Sequence, residues 1–228
     1  MLAVASVDGV ALVRRLLRAA LAKSADVSAQ LDPAWVDAAW RRVGIAPPAR
    51  AVAGSSAALA DVYGLCWPSL AGFVHQPDRI ALLPLPELLR VLAAVALHLD
   101  KDRVRHSIGR GLRGAVIERV GAVAYAGILA AAANGSARPA GALAMSELDL
   151  GVLAARGFAA LREHGHWRSP GTLAWVRLAL APALTVPAPA TRASDVAGAL
   201  QRLSLYFPEH AWLFGLPMDR ALSVSTKA

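Results

Sequence analysis

The sequence predicts an all-α protein, an irregular multi-helix globular domain over residues 1–228. Three observations predict it. Apolar residues make up 56% of the chain and the mean hydropathy is +0.45, so a sizeable core is available. Much of that content is alanine, the best helix former, whereas Val and Ile are few and alternating polarity is scarce. Helix-start pairs such as Asp32-Pro33, Pro86-Glu87 and Ser169-Pro170 open the periodic segments.

The first helix is expected from about Gly9 to Lys23. Leu12, Leu16, Ala19 and Ala20 share one face, and Arg14, Arg15 and Arg18 the other. Asp32 then serves as N-cap and Pro33 as the first helical residue of a segment carrying Trp35 and Trp40. Gly44 and Pro47-Pro48 stop it, and 49–56 reads as a loop. A helix follows over about 57–65, and Pro68 starts a short turn. Pro77, Pro84 and Pro86 punctuate the next stretch, and Pro86-Glu87 opens a helix to Leu99 whose apolar surface is nearly continuous.

Asp100 caps the next segment, which runs through Arg103 and Arg113 and is apolar over 116–133. Gly109, Gly111 and Gly114 weaken its first half and mark a kink or split. Residues 134–141, NGSARPAG, form the best linker, a subdivision point between 1–133 and 142–222. Ser146 is the expected cap of a helix to about His164, with Asp149 at the capping-box position. Ser169-Pro170 opens another, to about Leu180. After the proline-rich loop 182–191, Ser194-Asp195 opens a helix ending near Tyr206, and Pro208 starts a last turn to Gly215. Residues 223–228 read as a disordered tail.

The longest apolar stretches, 91–99 and 120–133, are bounded by charge. Both fall short of the ~18–20 residues that a membrane span needs. The opening MLAVASVDGVALVRRLL has no basic region ahead of its apolar residues and places Asp8 inside them. No signal peptide is expected, and the chain reads as cytosolic. The lone cysteine, Cys66, reads as a small buried hydrophobe rather than a nucleophile. The net charge is +8, with 21 arginines and three lysines against 16 acidic residues. That balance admits nucleic acid, anionic lipid or an acidic protein partner.

No motif carries catalysis. Residues 109–114 match GxGxxG, but helix precedes them and no acidic residue lies between Arg119 and Glu147, so no cofactor is expected. His164-Gly165-His166 supplies two ligand-type residues without zinc spacing, and no metal is expected. Asp100 and Asp102 read as capping and solvated charge. Arg103, His106, Arg110 and Arg113 recur at i, i+3, i+7 and i+10, which places them on one helix face, either solvated or docked on an acidic partner. No aromatics interleave with it, which disfavours nucleic acid. The closing LSLYFPEHAWLFG is aromatic-rich. Its rings fit a turn plugged into the core, or Trp212 and Phe214 anchor a partner.

Two segments resemble the K-subunit family of type III secretion systems, SctK, which includes YscK and PscK. The family's LP-x-LxxLLxxxAL helix is matched by Leu85, Pro86, Leu88, Leu92, Ala96 and Leu97. Its following xxRxxIDxxxxxxL segment is matched by Arg105 and Ile108, with Gly109 where the family has an acid. Its closing FPExxWLFG is matched by Phe207, Pro208, Glu209, Trp212, Leu213, Phe214 and Gly215. The resemblance implies a non-enzymatic cytoplasmic adaptor at the inner membrane face, within the sorting platform beneath the injectisome. Such a subunit joins the cytoplasmic domain of SctD to SctQ, and indirectly SctL and the SctN ATPase. The expected docking residues are Arg103, His106, Arg110, Arg113, Trp212 and Phe214. The alternative is a helical nucleic-acid-binding regulator, suggested by the charge.

Overall fold

A computed structural model describes residues 2–44, 54–73, 75–107, 109–132, 141, 143–184 and 191–214. Their α-helices are α1 (Leu2–Ala25), α2 (Pro33–Val43), α3 (Ser55–Tyr63), α4 (Gln76–Ile80), α5 (Leu85–Leu99), α6 (Lys101–His106), α7 (Arg110–Val120), α8 (Ala122–Ala130), α9 (Leu150–Glu163), α10 (Pro170–Leu178), α11 (Ala193–Tyr206) and α12 (Ala211–Phe214). Short 3₁₀ turns stand at 28–30, 70–73, 145–148 and 208–210, and no strand occurs among the described residues. The all-α class is as the composition predicts.

The chain packs as two compact units. The described residues of 1–85 and 167–183 form the first, and those of 86–166 and 184–215 the second. Residues 134–140 of the expected linker lie outside the described residues, as do 223–228. The flanks of that linker, 86–132 and 143–166, both fall in the second unit.

In the first unit α1 buries Leu12, Leu16 and Ala20. Asp32 caps α2 by accepting the Ala34 N–H at 3.0 Å. Gly44 ends that helix at φ 74°, a left-handed conformation that glycine adopts without cost. The Trp35 indole N–H donates to Leu180 O at 2.8 Å and the Asp32 N–H to Leu178 O at 2.8 Å, which ties α2 to the end of α10. Trp67 and Trp175 stack with centroids 4.7 Å apart and planes 9° apart. Lys23 is buried, and its ammonium donates to the carbonyls of Ala81 and Leu83. Burial pushes its pKa down to about 7.

The short α4 is not apparent from sequence, where Pro77 reads only as punctuation. Its Asp78 is fully buried and accepts from the Ser169 N–H at 3.1 Å, the Arg168 N–H at 3.4 Å and the Thr172 hydroxyl. Ser169 itself caps α10 by accepting from Thr172 N–H, as its Ser-Pro pair predicts. A carboxylate from α4 and a hydroxyl from the cap thus share the donors at the start of α10.

In the second unit α5 is buried around most of its circumference, from Leu88 to Leu99. Gly157 of α9 lies against its backbone, where a Cβ would stand 2.0 Å from Leu92 O. His98 is also buried, with Nδ1 2.6 Å from the Tyr206 hydroxyl of α11. Burial first, then the charges of Lys101, Arg202 and Arg105, lowers the His98 pKa to about 4. Burial pushes the Tyr206 phenol up to about 12. The pair therefore stays neutral over the ordinary working range.

Several sequence expectations need correction. The segment through Arg103 does split at its glycines, between His106 and Arg110, but it also breaks a second time. Ser107 ends α6: its hydroxyl donates to Arg103 O at 2.7 Å and accepts the Leu143 N–H at 3.0 Å. Gly121, at φ 90°, separates α7 from α8. Ser146 sits inside a 3₁₀ turn, and it is Asp149 that caps α9 by accepting the Val152 N–H at 3.0 Å. Arg192, rather than Ser194, occupies the N-cap of α11. Cys66 is exposed rather than buried, because it follows the left-handed Gly64 stop of α3 on an irregular segment.

Candidate docking surface

The four-residue basic stripe is divided by the α6–α7 break. Arg103, on α6, grips Glu147 with both terminal nitrogens, at 3.0 and 2.8 Å, and stands 3.6 Å from Asp100. Asp100 is also paired with Arg156 of α9. The Arg103 guanidinium holds the Glu147 carboxyl below the usual carboxylate range, helped by the Ala144 N–H. This is an internal network that fixes the 145–148 turn and α9 against the end of α5. His106 is exposed, with Nδ1 2.5 Å from Asp102 O.

Arg110 and Arg113 lie beyond the break, in the first turn of α7, and both are exposed. No ion pair among the described residues involves either. Arg113 rests 5.8 Å over the Tyr125 ring of α8, which orders it without neutralising it. Positive charge at a helix N-terminus opposes the macrodipole, so this pair lowers the stability of α7 locally. A partner carboxylate would relieve the repulsion. Gly109 caps α7 without a side-chain bond and follows helix, not strand, so the GxGxxG match has no dinucleotide context.

Arg105, noticed in the sequence only as a motif position, closes the end of α8. Its guanidinium donates to the carbonyls of Leu129 and Ala131 and pairs with Asp102 at 2.8 Å. The closing aromatic segment meets α5. Phe207 is fully buried, with Arg90 5.8 Å over its ring. Leu213 and Phe214 are buried, and Trp212 is half-buried. Phe214 therefore fills the core and is not presented to a partner. His210 stands 3.5 Å from Glu87, whose carboxylate is gripped by Arg90 through both oxygens. Glu87, Glu209 and His210 bring ligand-type atoms within 4.8 Å of one another. Arg90 already engages both carboxylate oxygens of Glu87 in that group.

Cys66 borders a cleft of about 660 Å³ in the first unit, lined also by Ser24, Asp26, Ser55, Trp67 and Trp175. No histidine or lysine stands among its described lining residues. No helix among the described residues is long and apolar enough to cross a membrane.

The geometry is that of a helical scaffold with an unneutralised basic edge. A family model described as bacterial type III secretion protein (HrpB4) matches residues 12–209. The chain belongs to the HrpB4 family. The HrpB4 match runs from within α1 to the 208–210 turn and so spans helices of both units. Arg103, His106, Arg110 and Arg113 lie inside it, and Trp212 and Phe214 just beyond it. Comparisons with curated proteins and with solved structures return no match.

Proposed function

We propose that this HrpB4-family chain is the K subunit, SctK, of a type III secretion sorting platform. It acts without catalysis, at the cytoplasmic face of the inner membrane, joining the SctD cytoplasmic domain to SctQ and through it to SctL and the SctN ATPase. The observation that carries the reading is the exposed pair Arg110 and Arg113 on a helical secretion-family scaffold, ordered by Tyr125 and paired with no acid among the described residues. The resemblance of 85–108 and 207–215 to the SctK motifs supports the same assignment. In this reading Arg110 and Arg113 meet an acidic surface, with His106 at the margin. Arg103 positions the neighbouring turn, and Trp212 acts through packing.

Charge complementarity of this kind sets orientation and encounter rate, and reversing it introduces repulsion. The double variant Arg110→Glu/Arg113→Glu is expected to weaken capture of SctD or SctQ by about tenfold or more, about 1.4 kcal/mol, with its melting temperature retained. A folded double variant that binds both partners as the parent does would overturn the assignment of this surface.

A further inference from the structure

Seven large apolar side chains are exposed among the described residues, and three of them stand on α1: Val10 (54%), Leu17 (46%) and Leu21 (70%). At about 100° per residue these three fall within an arc of about 40°. Arg14 and Arg18, both exposed, follow at its edge. Val13 is half-buried at the opposite margin. The core face of the same helix, Leu12, Leu16 and Ala20, is already buried, and it is centred about 120° away around the helix. The ridge is therefore surplus to the packing of the described residues of the first unit.

Its charge points one way. No acidic residue occurs from Gly9 to Ala25. Asp8 precedes this stretch, and Asp26, which follows it, is bonded to the Ser28 hydroxyl and the Ala29 N–H. Its spacing points the same way. Positions 10, 14, 17 and 21 alternate steps of four and three, the seam by which two helices pack. Arg14 lies in that line. A bilayer-bound helix needs a broad apolar face with its cations confined to the other side. A narrow ridge interrupted by arginine suits a protein helix that brings a carboxylate to it.

We infer that the α1 ridge of Val10, Leu17 and Leu21 receives an amphipathic helix of a partner protein. That helix carries aliphatic side chains at three- and four-residue spacing, with aspartate or glutamate beside them to meet Arg14 and Arg18. This is a helix-in-groove contact on the first unit, and it rests on none of the residues assigned to docking on α7. An adaptor needs two such surfaces.

The test is photo-crosslinking of the full chain in bacteria that express the secretion system, with p-benzoylphenylalanine at Leu17 or, separately, at Leu21. Adducts are mapped by mass spectrometry. The expected adduct joins α1 to a segment of another protein with the stated spacing and an excess of acidic residues. Arg14→Glu/Arg18→Glu should cut its yield at least tenfold, while Arg110→Glu/Arg113→Glu should leave it intact. These positions are exposed, so the melting temperatures should match the parent. An adduct to phospholipid, to a second copy of this chain or to a segment lacking acids would overturn the inference. So would no adduct at either position, or a yield indifferent to Arg14 and Arg18. Loss of the adduct only in the α7 variant would instead tie it to the other surface.

Discussion

Gly157→Ala is expected to destabilise the second unit severely. The added methyl would lie 2.0 Å from Leu92 O and 2.9 Å from Leu92 C, both backbone atoms of a buried helix. No rotamer change relieves such a contact, so α9 and α5 must separate and the layer between them loosens. Overpacking of a filled core costs about 1–3 kcal/mol, and a clash with backbone belongs at or beyond the top of that range. At about 2–4 °C per kcal/mol for a chain of this size, the melting temperature should fall by roughly 6–12 °C. The control is Gly198→Ala on α11, where nothing lies within 4 Å of the new methyl. There the helix propensity of alanine should leave stability unchanged or raise it by up to ~1 kcal/mol. Equal losses in the two variants, measured by calorimetry, would contradict the close approach of α5 and α9.

Asp78→Ala is expected to cost about 3 kcal/mol or more. The carboxylate is fully buried and serves three donors: two backbone N–H groups at the entry to α10 and the Thr172 hydroxyl. Truncation leaves the two N–H groups without their acceptor, at about 1–3 kcal/mol for each that stays buried and unpaired, whereas the Thr172 hydroxyl keeps Ser169 O at 2.9 Å. It also opens a small cavity beside Ser169. Asp78→Asn keeps the shape and one acceptor oxygen, so its loss should be smaller. Thr172→Val removes one donor along with its bond and should be milder still. Urea unfolding of the three variants checks the order. A full-sized loss in Thr172→Val, or none in Asp78→Ala, would show that the start of α10 is held by something else.

The features legible in the sequence are those decided by neighbours along the chain. Asp32-Pro33 and Ser169-Pro170 start helices with the capping bonds their residue types imply, and the apolar run from Leu88 to Leu99 is buried as its composition requires. The features that were not legible are decided across the fold. The glycines from Gly109 mark a split, but that it falls at Ser107 is set by the Leu143 N–H, 36 residues away. Asp78 in a five-residue helix becomes meaningful only beside Ser169 and Thr172. Asp149 prevails over Ser146 because a 3₁₀ turn, latched by Glu147 to Arg103, occupies 145–148. The stripe 103–106–110–113 was legible as charge, but its single face presupposed a continuous helix. The structure keeps Arg110 and Arg113 exposed and commits Arg103 to Glu147 and Asp100.

A three-component size-exclusion experiment shows whether this chain bridges its proposed partners. The SctD cytoplasmic domain and SctQ from the same secretion system are run together with and without this full chain. The two are expected to co-elute only when the chain is present, and Arg110→Glu/Arg113→Glu should dissolve the ternary peak while the variant remains folded. Co-elution of SctD and SctQ without the chain, or a chain that joins neither, would contradict the bridging role.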